Sequence, residues 1–223
     1  MKLNLKYSLF FLIILIFSCK EEKDSAVKSD TEKNELRENP HQFDLKKEKD
    51  TIFYQWVHFY KDLDPNFDVK NFKKLSTRDL DLMEGTVSGS FDQDFDPIYK
   101  DLLIYSPDKE KYLDLDSYHW QMDENQQLQF SPDQEVNLVN LPEKTVQRIV
   151  FRGPSNTVED AFWKGNNQIV LLEGTYDKVP MISLVNLDKE EITTYIYPDT
   201  LAARSNYYQK RIENKIEIKN QIQ

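Results

Sequence analysis

The chain has 223 residues, 39% of them apolar and 30% charged, and a net charge of −10. That length supports one good hydrophobic core and excludes three domains; the negative balance argues against nucleic acid as a partner, because phosphate binding needs clustered cations. Five glycines and nine prolines exclude a Gly-rich linker or collagen-like repeat, and 13 Phe, 12 Tyr and 3 Trp favour a strand-rich core.

Residues 1–18 read as a secretory signal peptide. Lys2 and Lys6 supply positive charge, and an apolar run follows that is densest from Leu9 to Ile16. Its core is about ten residues, where a membrane span needs roughly 20, so it is an export signal and not a transmembrane helix. The run ends at Cys19, the sole cysteine.

Ile16-Phe17-Ser18-Cys19 resembles the lipobox of bacterial lipoproteins, with Phe17 as a bulky departure from the usual small residue. The resemblance implies cleavage before Cys19, a diacylglycerol on its sulfur and commonly a third acyl chain on its amine. Two or three chains anchor a protein stably in a lipid bilayer where one does not. Lys20-Glu21-Glu22 resembles the Lys-acid-acid signal of some Gram-negative lipoproteins sent to the outer face of the outer membrane. It implies a surface-facing outer-membrane lipoprotein, with the periplasmic face as the alternative.

Residues 19–49 form a lipidated, charged tether. Its apolar residues are Ala26, Val27, Leu36, Phe43 and Leu45, too few to offset the entropy of ordering. A single β-rich domain is expected over 50–223. It opens with Ile52, Phe53, Trp56, Val57, Phe59, Tyr60 and Leu63 at helical spacing, Asp50 or Thr51 as N-cap and Pro65 as stop. Such a helix is expected to close the open side or edge of a sheet.

Two acidic runs, 62–68 and 92–96, open like calcium loops. Neither continues as one: Phe67 or Pro97 stands where glycine belongs, and Lys73 or Leu103 where a bidentate glutamate belongs. Both read as solvated loops.

An internal repeat organises the remainder. NLVNLPEKTVQRIVF at 137–151 lies over SLVNLDKEEITTYIY at 183–197, an offset of 46. Upstream, LLIYSPDKEKYLDLDSY at 102–118 lies over DAFWKGNNQIVLLEGTY at 160–176, an offset of 58. Each segment holds strands separated by a polar turn. The Gln-rich stretch 120–133 reads as a loop of the first unit alone. The two units, 102–151 and 160–197, resemble β-propeller blades. The resemblance implies a mainly β fold of two blade-like four-stranded antiparallel sheets, packed together between an N-terminal and a C-terminal helix; a ring completed by self-association is the alternative. The C-terminal helix centres on 205–212, with a short strand after it. It is basic against an acidic body, which suits a position across the sheets.

Reaction centres are scarce. His41, His58 and His119 lack metal-ligand spacing, so neither a metal nor a cofactor is expected. Ser106-Pro107-Asp108-Lys109 fits S-x-x-K, but the partner motifs are absent and Pro107-Asp108 reads as a turn. Asp114 and Asp116, two apart on one strand, and the adjacent Glu159 and Asp160 are the carboxylates able to do acid–base work on a glycan; a solvated sheet face is the competing reading. Trp120 and Trp163 fit either sugar stacking or core packing. Two functions follow. The first is a lipid-anchored, non-enzymatic binding or accessory module meeting an envelope protein or glycan. The second is a hydrolase of envelope or extracellular glycans using Asp114 or Asp116. A purely structural envelope protein is a third.

Overall fold

The computed structural model describes residues 48–87, 95 and 97–222. Cys19, Lys20, Glu21, Glu22 and the tether as far as residue 47 lie outside the described residues, as does most of the run 92–96. Among the described residues no helix is long and apolar enough to cross a membrane.

The first helix, α1 (Thr51–Leu63), begins at Asp50, whose carboxylate accepts the Ile52 amide at 2.8 Å. It buries Phe53, Trp56 and Tyr60 on one stripe. The run 62–68 ends α1 and then turns: Asp64 caps the Asn66 amide and Asp68 the Lys70 amide, each at 2.9 Å.

The strands are β1 (Lys73–Asp79), β2 (Met83–Glu84), β3 (Ile104–Tyr105), β4 (Lys111–Asp114), β5 (Trp120–Met122), β6 (Leu128–Phe130), β7 (Gln134–Asn140), β8 (Thr145–Arg152), β9 (Asn156–Trp163), β10 (Gln168–Thr175), β11 (Met181–Asn186) and β12 (Glu191–Ile196). A short helix α2 (Pro97–Lys100) precedes β3, and α3 (Tyr207–Ile222) follows β12. The fold is mainly β and antiparallel, but the sheets are not four-stranded. One five-stranded sheet has the order β2-β8-β7-β4-β3 and the other β1-β12-β11-β10-β9, with β5-β6 as a separate hairpin.

The fifth strand of each sheet comes from the segment before the repeat. β1 carries no period-2 signal because all seven of its residues are exposed. Two further expectations are corrected. The stretch 120–133 is a hairpin and not a loop, its turn held by the Asp123 carboxylate on the Asn125 and Gln127 amides at 2.8 Å. The C-terminal segment stays helical to Ile222, with no strand after it among the described residues.

The repeat extends to register. Val139 pairs with Tyr112 and Val146, as Val185 pairs with Ile169 and Ile192. The turns after β7 and β11 share their chemistry: Asn140 caps the Glu143 amide and Asn186 the Lys189 amide, and Lys144 and Glu190 both take φ near +50° (52° and 51°). Upstream the offset changes. Tyr105 pairs with Tyr112 and Trp163 with Ile169, so β3 and β9 are 58 apart while β4 and β10 are 57 apart. The Ser106–Lys111 turn is one residue longer than its counterpart, which shifts β4 against the sequence alignment. Ser106 closes that turn, donating to the Asp108 carboxylate at 2.6 Å and accepting the Lys111 amide at 3.0 Å.

Equivalent residues of the two sheets do not face each other. Leu113, Leu115 and Leu138 of the first sheet pack against Ile169, Leu171, Val185 and Ile192 of the second. The equivalents of the first three, Val170, Leu172 and Leu184, instead pack against α1. The equivalents of Ile169, Val185 and Ile192, namely Tyr112, Val139 and Val146, pack against Trp120 and the α3 residues Tyr208 and Ile212. The sheets are thus stacked face to back, and α1 and α3 cover the two outer faces. Three apolar layers result, with Val139 and Val185 at 0% and 1% exposure.

Candidate functional site

The β-ladders bring the ends of β4, β8 and β10 and the starts of β7, β9 and β11 to one end of the stack. Buried polar side chains collect there. Gln134 joins the sheets, donating to the carbonyls of Leu115 at 3.2 Å and Val158 at 3.0 Å and accepting the Val158 amide at 2.7 Å. Arg152 of β8 forks onto Glu173 of β10 at 2.7 and 3.1 Å. Glu173 also accepts the Ser183 hydroxyl at 2.5 Å.

The two carboxylates picked out by sequence, Asp114 and Asp116, are buried at 2% and 1% exposure, which overturns a solvated sheet face. They do different work. Asp114 caps the turn after β4, accepting the amides of Asp116 at 2.9 Å and Ser117 at 3.0 Å and the Ser117 hydroxyl. Burial nevertheless pushes its pKa up. Asp116 lies past the strand end and accepts from Tyr208 at 2.7 Å, Arg211 at 2.7 Å and Trp120 at 3.3 Å.

Arg211 of α3 is the hub of this network. Its Nε donates to the Glu159 carbonyl at 3.0 Å. Burial alone would lower its pKa, but Asp116 and Asp160 hold it well above the ordinary arginine value. Asp160 accepts the Tyr207 hydroxyl at 3.2 Å, and burial raises its pKa against the pull of Arg211. Basic α3 is therefore fastened across acidic strand ends by one buried cation and two tyrosine hydroxyls.

Glu159 binds the other helix. The β9–β10 ladder passes from Asp160 to Val158 and skips Glu159, a bulge that re-aims its side chain. The carboxylate accepts Trp56 Nε1 at 2.7 Å, the Tyr60 hydroxyl at 2.9 Å and the Ser205 hydroxyl. Burial outweighs these three donors and raises its pKa to about 7. Gly174 makes the space: a Cβ there would lie 2.6 Å from Glu159 Oε1 and 3.2 Å from the Tyr60 hydroxyl.

Above Glu159 opens a cleft of about 350 Å³, whose walls include His119, Phe130, Thr157, Arg204, Asn206 and Tyr208. Arg204 is held 4.9 Å over the exposed ring of Tyr176. His119 Nδ1 lies 2.9 Å from the Asp133 carbonyl, and burial lowers its pKa, which keeps the ring neutral at pH 7. A second cavity, of about 670 Å³, lies between α1, α3 and residues 101–105.

The sequence-selected tryptophans do not wall this cleft. Trp120 is core, and Trp163 donates Nε1 to the Ile104 carbonyl at 2.9 Å. Exposed rings at this end include Phe130, which lines the cleft, and Tyr176. Of the acids, only Glu159 lines the cleft. Among the described residues no group of three or more His, Cys, Asp or Glu is placed to hold a metal ion. Arg204, Asn206 and Arg211 carry no motif; the one sequence signal toward them is the basic charge of the C-terminal segment.

No protein-family model, no curated protein and no solved structure matches this chain.

Proposed function

We propose that the chain is a lipid-anchored, non-enzymatic binding or accessory module of the bacterial outer membrane, directed to the cell surface by Cys19 and the Lys20-Glu21-Glu22 signal. The strand-end cleft is its binding face. Loops gathered at one end of a rigid sheet stack are the usual place for recognition. The anchor rests on the resemblance of Ile16-Phe17-Ser18-Cys19 to a lipobox.

The stack is read as two propeller-like blades. Each is a four-stranded meander with one added edge strand. Face-to-back packing of equivalent strands suits successive blades, and a two-fold sandwich would set equivalent residues against each other. α1 and α3 stand where further blades would continue the stack, so they end the array.

One observation carries the non-enzymatic reading. Asp114, Asp116, Glu159, Asp160 and Glu173 all accept hydrogen bonds from the protein itself. Most glycosidases use two carboxylates flanking the bond, and among the described residues the cleft has one. The hydrolase alternative draws on one specific feature, the raised pKa of Glu159 beside the cleft. The test is incubation of the purified full chain with isolated envelope glycans. Retention of intact glycan or protein supports a binding module; release of shortened glycans that ceases in Glu159→Gln supports the hydrolase.

A further inference from the structure

We propose that the strand-end cleft is a glycan subsite, in which a pyranose ring stacks on Phe130 while its hydroxyls bond to Arg204, Asn206 and Thr157. This deepens the binding-module reading and rests on it.

The decisive contrast is between engaged and unengaged groups. The buried polar side chains around the cleft floor are tied to one another: Glu159 to Trp56, Tyr60 and Ser205, and Tyr208 to Asp116. Thr157, Arg204 and Asn206 line the same cleft, and their side chains make no hydrogen bond among the described residues. Three polar groups with open bonding capacity thus share the cleft with a partly exposed aromatic ring, Phe130, at 38% exposure.

Their chemistry matches a sugar. Each sugar hydroxyl both donates and accepts, and the ring presents an apolar C–H face. Asn206 and Thr157 donate and accept, and Arg204 offers a fixed fork of donors. Tyr176 holds that guanidinium over its ring at 4.9 Å, which orders it before a ligand arrives. Phe130 is itself braced edge-on against Tyr208 at 5.8 Å. The volume, about 350 Å³, lies at the lower end of ligand sites and suits one ring of a longer chain. An inorganic anion fits less well, because the Glu159 carboxylate forms part of the wall. A protein partner would need roughly 800 Å² per side, far beyond this cleft.

The experiment uses the full acylated chain in a zwitterionic detergent without a sugar headgroup. It is offered to arrayed hexasaccharides of glucose, mannose, galactose, xylose and N-acetylglucosamine, and the best binder is then titrated by calorimetry. Wild type is expected to bind at least one of them. Phe130→Ala and Arg204→Ala should each weaken that binding about tenfold or more, while Phe151→Ala, at another exposed ring, leaves it unchanged. Arg204 is exposed, so its variant keeps the test valid if Phe130→Ala fails to fold. Binding to no member, or binding indifferent to both variants, overturns the glycan subsite. A chain that ignores every sugar yet captures an envelope protein overturns the subsite and leaves the binding-module reading standing. A chain that binds a hexasaccharide and shortens it retains the subsite and overturns the non-enzymatic reading.

Discussion

Val139 and Val185 occupy the same ladder position in successive sheets and face different cores. Val139 packs toward α3, and Val185 packs between the sheets. Both are sealed from solvent, so Val139→Asn and Val185→Asn should each cost about 2–4 kcal/mol. Urea unfolding of the two variants checks this. Similar losses are expected; a loss at one site alone would contradict the layered stack.

Arg211 donates to the buried Asp116 carboxylate at 2.7 Å and acts electrostatically on a second buried carboxylate, Asp160. Arg211→Met removes the cation that offsets both charges and should destabilise the fold by about 3–5 kcal/mol. Adding Asp116→Asn to that variant should recover part of the loss. Thermal melts of the two single variants and the double variant form the cycle, and simple additivity would contradict the network.

Glu159 makes stability depend on pH. Its pKa is about 7 in the fold against a reference value of 4.5, so the folded state holds the proton more tightly. The associated stability is fully present below about pH 4.5, declines as pH rises and is gone above about pH 7. The full swing is roughly 3 kcal/mol at about 1.4 kcal/mol per pKa unit. Burial raises Asp114 and Asp160 in the same sense and lowers His119 in the opposite one. The test is therefore the difference between wild type and Glu159→Gln across pH 4–8. Parallel curves would contradict the assignment.

Gly174 is required by the Glu159 carboxylate rather than by backbone geometry. Gly174→Ala places a Cβ 2.6 Å from Glu159 Oε1, and overpacking of this kind costs about 1–3 kcal/mol. In a Glu159→Ala background the same change should be nearly neutral by chemical denaturation. An equal cost in both backgrounds would rule out the contact.

Much of this was legible in sequence where one face of a segment is buried and its partner lies nearby. The alternation in 137–151 and 183–197 placed β7, β8, β11 and β12, and Asp50 and Pro65 bracketed α1. β1 was illegible because an edge strand exposed along its whole length has no burial to record. The one-residue difference between the Ser106 turn and its counterpart escaped because a pattern match tolerates a slip that hydrogen-bond register does not. At the site, Asp114 and Asp116 stood out as a pair, yet their roles depend on Ser117 and on Arg211. The second of these is 95 residues away along the chain. No local pattern reports such contacts, and Glu159 owes its direction to a bulge visible only in the ladder.

The anchor is testable apart from the fold. Cys19→Ala should abolish incorporation of labelled palmitate and release the chain from membranes. Replacing Lys20, Glu21 and Glu22 by alanine should lower protease accessibility on intact cells at unchanged total amount. Labelled, membrane-bound Cys19→Ala protein would refute the lipobox reading, and unchanged accessibility would refute the sorting signal.

The most direct measurement on the central claim is quantitative capture from the native envelope by the acylated wild-type chain and by Arg204→Ala, both checked for equal thermal stability. A binding module that uses the strand-end cleft predicts an envelope component retained intact by wild type and reduced about tenfold with the variant. Equal retention by both chains, or no retained component at all, would contradict it.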